Sequence, residues 1–122
     1  MAGALRLKAI LILFLWIPAA ALAQDYFGAI AYSPSSGAHG WANDQPSRQA
    51  AERAALSGCR THAKDCRTVV WFKNACGALA TGPKVYGWGW GATQALADAE
   101  AMKACTRHAK DCALKEQRCT TR

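Results

Sequence analysis

The chain has 122 residues, of which 52% are apolar and 19% charged, and it carries a formal net charge of +7. A chain of this length and apolar content folds as one small domain, which excludes both a disordered protein and a multidomain enzyme. Ten glycines and five tryptophans also exclude a coiled coil, whose heptads use few residues of either type.

The first segment has the features of a signal peptide. Two basic residues precede an apolar run at residues 9–17, and the small-residue motif Ala21-Leu-Ala23 follows. The run is too short to cross a bilayer, because a spanning helix needs about 20 residues. We therefore predict a signal peptide at residues 1–23 and a mature chain at residues 24–122. This mature chain is expected to be a single periplasmic or secreted domain without a transmembrane segment.

The first half of the mature chain predicts two strands, a helix and a third strand. Strands are expected at Phe27–Tyr32 and Ala38–Asn43, because a Pro-Ser-Ser-Gly turn lies between them. Ser47 is the expected N-cap of a helix at about residues 48–61, in which small apolar residues recur every four positions. The β-branched and aromatic run at Arg67–Lys73 predicts the next strand.

The second half of the mature chain repeats the first. The eight-residue segment from Cys59 to Cys66 recurs from Cys105 to Cys112, with His-Ala-Lys-Asp-Cys identical in both copies. Thr93 takes the place of the first N-cap, before a second helix at about residues 94–107. The predicted fold class is α+β, with duplicated β-β-α-β units forming an antiparallel sheet that carries two helices. The two units span about residues 27–73 and 76–119.

Six cysteines in an exported chain of this size indicate a disulfide framework. The duplication favours pairs that close the same loop in each unit. One further pair then remains, and it would join the first and last strands of the second unit. The expected bridges are Cys59–Cys66, Cys105–Cys112 and Cys76–Cys119.

Four blocks of the sequence resemble the "domain of unknown function 4189" family of small exported bacterial proteins. They begin Tyr26-Phe-Gly-Ala-Ile-Ala-Tyr-Ser, Pro46-Ser-Arg-Gln-Ala-Ala, Val69-Val-Trp-Phe-Lys-Asn-Ala-Cys-Gly-Ala-Leu-Ala and Tyr86-Gly-Trp-Gly-Trp-Gly. The resemblance covers almost the whole mature chain. It implies a compact, cysteine-bonded α+β domain from an envelope or secreted protein, and it brings no catalytic residue with it.

An unusual aromatic strand is expected in the second unit. Tyr86, Trp88 and Trp90 alternate with three glycines, so the rings share one face of the strand and the glycines share the other. If the glycine face receives the alanine-rich helix, the rings point outward and could grip a sugar ring or a partner's side chains. The other interpretation is that these rings form the core of a chain with few other large side chains.

The two copies of Cys-x2-His-x3-Cys allow two kinds of chemistry. The motif could supply zinc ligands, but a disulfide beside an exposed histidine explains the same residues, so we predict no metal and no cofactor. His62 with Asp65, and His108 with Asp111, could be oriented bases of a hydrolase. An aspartate that ends a helix and starts a turn explains them as well, and no nucleophile motif accompanies them, so no catalytic residue is predicted.

These features favour a binding protein without catalysis. Inhibitor, immunity factor and secreted effector of the bacterial envelope are the roles considered, and the alternative is a small hydrolase of wall or matrix material that uses His62 or His108. The mature chain has 13 basic and 8 acidic side chains, a surplus that is typical of a solvated, solubilising surface and that could also favour anionic partners. The expected partner is another protein or an anionic or glycan envelope component, and not nucleic acid. The candidate binding residues are Tyr86, Trp88, Trp90, His62 and His108.

Overall fold

A computed structural model of the protein describes residue 12 and residues 24–122, so the predicted signal peptide lies, apart from one residue, outside the described residues. The described chain forms six strands and two helices. In chain order they are β1 (Phe27–Tyr32), β2 (His39–Gln45), α1 (Arg48–Arg60), β3 (Arg67–Lys73), β4 (Cys76–Gly82), β5 (Val85–Gly91), α2 (Gln94–Thr106) and β6 (Ala113–Cys119).

The α+β class and the β-β-α-β order in both halves are confirmed. Each half forms its own antiparallel sheet of three strands, so the strands are divided between two sheets. The first sheet has the order β2-β1-β3, and the second sheet has the order β5-β4-β6. The division falls at the short turn between β3 and β4, where Asn74 adopts a φ of 47° that asparagine tolerates. This turn carries the chain from one sheet to the other.

Each helix packs on the sheet of its own half through small residues. Ala51, Ala55 and Cys59 of α1 are completely buried, and Ala97, Ala101 and Cys105 of α2 take the equivalent places. Both predicted N-caps are confirmed. The side-chain oxygen of Ser47 accepts a hydrogen bond of 3.1 Å from the Ala50 amide, and that of Thr93 accepts one of 3.2 Å from the Leu96 amide.

The other faces of the two sheets pack against each other. Ile30, Phe72 and Leu79 are the largest completely buried side chains of this layer, and Val70 lies beside them. The ring of Phe72 fits between two glycines, where any added Cβ would collide with it. Residues 24–122 therefore form four layers in the order helix, sheet, sheet, helix, and their largest completely buried apolar side chains lie between the sheets.

Three disulfides are present, and they join the pairs that the repeat indicated. Two of them connect the end of a helix with the start of the following strand, and the third connects β4 with β6. The pairs are Cys59–Cys66, Cys105–Cys112 and Cys76–Cys119.

Across residue 12 and residues 24–122, no helix has the length and apolar character needed to cross a membrane.

Candidate functional site

The stacking of the two sheets leaves a sandwich with two sides. The central strands β1 and β4 face each other, β3 lies over β5 on one side, and β2 lies over β6 on the other. The duplication makes the two sides equivalent in backbone, because β3 corresponds to β6 and β2 corresponds to β5. The side chains on the two sides are different.

An apolar groove runs along the side formed by β3 and β5. Its volume is about 360 Å³, and we call it the tryptophan groove. The residues that line it are Val69, Val70, Trp71, Phe72, Lys73, Trp88 and Trp90.

Two of the predicted aromatic residues are exposed at this groove. Trp88 is 48% exposed and Trp90 is 59% exposed, so the interpretation that these two rings form the core is wrong. They point away from α2 because the alternating glycines face it: a Cβ on Gly89 would lie 2.6 Å from the amide nitrogen of Ala101. Tyr86 is half-buried, and its ring lies 5.1 Å from that of Tyr32, centroid to centroid.

Cationic side chains surround the groove. The Arg48 guanidinium lies 4.4 Å from the ring centroid of Trp71, and its Nε lies 3.0 Å from a carboxylate oxygen of Glu52, which compensates part of its charge. Lys73 Nζ lies 3.2 Å from a carboxylate oxygen of Asp25, so part of its charge is compensated. Arg67 lies over Tyr86, 5.8 Å from the ring centroid. The apolar groove therefore has a rim that favours partners with acidic groups at their edges.

A charged cluster that the sequence did not reveal lies on the opposite side of the sandwich. Glu116 of β6, whose side chain is only 8% exposed, has one carboxylate oxygen 2.8 Å from His39 Nδ1 and the other 2.7 Å from Arg118 Nε. The guanidinium of Arg118 lies 3.6 Å from the ring centroid of Trp41. This is an arrangement in which a buried carboxylate is matched by a cation.

A comparison of the two copies contains a signal for this cluster. Glu116 and Arg118 occupy the repeat positions of Val70 and Phe72, which are core residues in the first unit. Polar residues at positions that are apolar in the other copy indicate that the two sides of the molecule have different chemistry. Trp41 is the first-copy equivalent of Trp88, and Arg118 covers its ring.

The two candidate histidines lie apart from the tryptophan groove. His62 and His108 are exposed and follow α1 and α2. Asp65 accepts a hydrogen bond from the Ser33 hydroxyl and one of 3.3 Å from the Ser35 amide. These hydrogen bonds, that of Ser33 first, hold the pKa of the Asp65 carboxyl below its usual value, because they stabilise the ionised form.

Asp65 therefore caps the turn between β1 and β2. Within the described residues, no ion pair of 4 Å or less joins His62 to Asp65 or His108 to Asp111. The four cysteines of the two Cys-x2-His-x3-Cys motifs are bonded to each other in disulfides, so they hold no thiolate for zinc.

Residues 27–119 match the family described as "Domain of unknown function (DUF4189)". Among curated proteins, the chain is 42% identical over 80 residues to Protein Rv1269c of Mycobacterium tuberculosis and to Protein Mb1300c of Mycobacterium bovis. The match covers 66% of this chain and 61% of each relative, so it spans less than two thirds of their length. Among solved structures, the NMR structure of Rv1813c from Mycobacterium tuberculosis is similar, with a TM-score of 0.57 and 33% identity over 77% of this chain and 74% of that one.

Proposed function

The chain belongs to the DUF4189 family, whose description names no activity, and we propose that it is an exported binding protein without catalysis that recognises another protein through the tryptophan groove. One observation carries the proposal: Trp88 and Trp90 lie about half exposed over an apolar groove at an open side of the sandwich. Tryptophans in such positions are enriched at the centres of protein interfaces, where burying them contributes strongly to affinity.

The strands beside the groove support an extended segment as the partner. Both β3 and β5 are edge strands of their sheets, so one side of each has backbone groups without a neighbouring strand. A segment that adds to β5 pairs with those groups and places every second side chain over the groove, next to Trp88 and Trp90. The chemistry of the partner is therefore an extended segment with apolar residues at alternate positions, flanked by acidic residues that meet the cationic rim.

Export is proposed on two grounds. Three disulfides are stable in the periplasm or outside the cell, where thiols are oxidised, and the first 23 residues have the pattern of a signal peptide. Within that compartment, an inhibitor, an immunity factor or a secreted effector would use such a surface. Intact-mass measurement on protein recovered outside the cytoplasm tests the export: the expected chain begins at Gln24, and a mass that retains residues 1–23 contradicts it.

The groove is tested by capture with three forms of the protein as bait. The wild-type protein, the double variant Trp88→Ala/Trp90→Ala and the variant Trp41→Ala are immobilised and exposed to envelope extract. Trp41 is the matched control, because it occupies the same repeat position as Trp88 but lies under Arg118 on the other side. The expected result is a protein retained by the wild type and by Trp41→Ala and lost from the double variant.

The captured protein is then shortened, fragment by fragment, to the segment that binds. A synthetic peptide of that segment is expected to shift the fluorescence of the wild-type protein to shorter wavelength, because Trp88 and Trp90 become buried. Replacing the alternate apolar residues of the peptide by serine should abolish the shift. Retention of the same proteins by all three baits would contradict the proposal.

The hydrolase alternative has less support. The Asp65 carboxylate already accepts hydrogen bonds from Ser33 and Ser35. Within the described residues, no carboxylate orients either of the exposed histidines, His62 and His108. A catalytic base is normally held by such a partner and placed beside a nucleophile.

A further inference from the structure

A second cavity lies on the other side of the sandwich, away from the tryptophan groove. It has a volume of about 660 Å³ and is bordered by the turn before β2, by the start of β2, by the end of α1 and by β6. We call it the histidine cleft. The side chains used below are those of Ser36, His39, Trp41, His62 and Lys115.

One lysine and two histidines are the titratable side chains that line the cleft. His39, His62 and Lys115 come from three separate parts of the chain, and no carboxylate is found among the residues that line the described cleft. Within residues 24–122, no acidic oxygen lies within 4 Å of the His62 ring or of Lys115 Nζ. The charge of Lys115 is therefore available to a ligand.

A buried carboxylate lies behind the cleft, next to the ring of His39. Glu116 lies 2.8 Å from His39 Nδ1, so the opposite nitrogen of the ring, Nε2, is directed away from Glu116. Arg118 lies 2.7 Å from the second oxygen of Glu116 and balances its charge. When the ring is protonated, Nε2 can donate a hydrogen bond to an anion in the cleft.

A local irregularity of β6 places Lys115 at this position. The pairing of β4 with β6 shifts between Leu79–Glu116 and Ala80–Leu114, which leaves Lys115 as the extra residue of a β-bulge. Bulges redirect a side chain relative to the regular strand, and they are frequent beside binding sites. The equivalent bulge in β3 holds Val69, which lines the tryptophan groove.

The duplication by itself does not explain His39 and Lys115. Tyr86 of the second copy occupies the repeat position of His39, and Val69 of the first copy occupies that of Lys115. The groove on the side that has Tyr86 and Val69 is lined mainly by apolar residues, whereas the cleft on the side that has His39 and Lys115 is lined by more polar ones. The two sides therefore differ in the chemistry of their side chains.

We propose that the histidine cleft is a binding site for a sugar-sized ligand that carries one anionic group. The phosphate or carboxylate is held by Lys115, His62 and His39. Ser36 borders the same space, but its hydroxyl already donates to Ser33 Oγ and accepts from the Ala38 amide. Trp41 is 44% exposed, and because the Arg118 guanidinium covers one face of its indole, a ligand ring would lie against the other face. The site is independent of the tryptophan groove, so a negative result for ligand binding in the cleft would leave the proposed function unaffected.

The test is a titration followed by amide and side-chain NMR shifts of the isotope-labelled mature protein. The probes are glucose 6-phosphate, glucuronate and glucose, all at one ionic strength, because nonspecific attraction to a basic protein depends on salt. Either anion is expected to shift the signals of His39, Trp41, His62 and Lys115, while glucose leaves them in place. The anion with the lower Kd identifies whether the group is a phosphate or a carboxylate.

Three variants decide whether the shifts belong to the cleft. Lys115→Met and His62→Gln each change an exposed side chain, so both are expected to fold, and each should raise the Kd by about tenfold. His108→Gln is the matched control, since it changes the equivalent histidine of the second copy. Equal effects of all three variants, equal shifts with glucose, or an absence of shifts with both anions would overturn the proposal.

Discussion

At the scale of single residues, glycine and alanine decide how closely each helix approaches its sheet. Gly89 lies under α2, where a Cβ would be 2.6 Å from both the Ala101 amide nitrogen and the Ala97 carbonyl oxygen. Backbone atoms cannot move aside as the end of a flexible side chain can. Gly58 is different: it lies within α1, and a Cβ there would meet only Gly40 Cα at an ordinary 3.6 Å.

These two glycines predict opposite effects of the same substitution. Gly89→Ala should lower the free energy of unfolding by about 1–3 kcal/mol, because the helix must move away from the sheet. Gly58→Ala should raise it by about 0.5–1 kcal/mol, because alanine restricts the unfolded chain and favours the helix. Urea unfolding of both variants measures the difference, and a similar loss in both would contradict the close packing of α2 on β5.

A second prediction at this scale concerns acid stability. The hydrogen bonds from Ser33 and Ser35 lower the pKa of Asp65 from its usual value of 3.8. Its contribution to stability is therefore complete above that value and is lost as the pH falls through the lower pKa of the folded state. Asp65→Asn should lower the Tm at pH 7, and its difference from the wild type should shrink towards pH 2.

Thermal unfolding at several pH values measures this effect. Asp111→Asn is the control, because it changes the equivalent residue of the second copy, where the turn has no counterpart of Ser33 and Ser35. A Tm difference for Asp65→Asn that stays constant down to pH 2 would show that the carboxylate charge plays no part.

At the scale of secondary-structure elements, the disulfides divide into two kinds. Two of them close short loops, with partners 7 positions apart, and hold the end of a helix to the next strand. The third joins residues 43 positions apart and ties β4 to β6. A longer closed loop restricts the unfolded chain more, so the three bridges are expected to differ in their effect on stability.

Removing the long bridge should therefore cost the most. By loop entropy, Cys76→Ala/Cys119→Ala is expected to lower stability by about 4 kcal/mol, against about 2.5 kcal/mol for Cys59→Ala/Cys66→Ala. Denaturant unfolding of the double variants measures both. Cys105→Ala/Cys112→Ala removes the bridge that closes the equivalent short loop in the second half, and its effect should match that of the first local pair. A larger loss from either local pair would mean that packing of the buried cysteines outweighs loop closure.

At the scale of the whole molecule, stability and recognition use different aromatic residues. Phe72 is 1% exposed and fills the space between the two sheets, whereas Trp88 and Trp90 stand at the side of the sandwich. The layer between the sheets is the place where the two halves of the duplication hold each other. The tryptophans on its border contribute less to this layer because about half of their surface remains in water.

Truncation of these residues should separate the two roles. Phe72→Ala is expected to cost about 3–5 kcal/mol, because it leaves a cavity between the sheets. Trp88→Ala and Trp90→Ala are each expected to change stability by about 1 kcal/mol or less, as exposed positions usually do. Differential scanning calorimetry of the three variants provides the comparison, and a loss at Trp88 or Trp90 as large as that at Phe72 would return these rings to the core.

The sequence by itself determined the parts of this protein that depend on near neighbours. The strand at Phe27–Tyr32, the caps Ser47 and Thr93, and the helices that follow them are recognisable because turn chemistry, capping and helical spacing act over a few residues. The disulfide pairs extend over longer distances, and they were predictable because the duplicated segment restricts the choice.

Only the tertiary structure decided which faces of the strands meet. In β5, one face has glycines and the other has tryptophans, and both are suited to burial, so alternation alone could not tell the core from the surface. The answer depends on how the second sheet lies on the first, which also brings Glu116 of β6 to His39 of β2, 77 positions earlier in the chain. Sequence patterns describe the faces of each element, but the contact between two sheets depends on the shape and charge of both surfaces together.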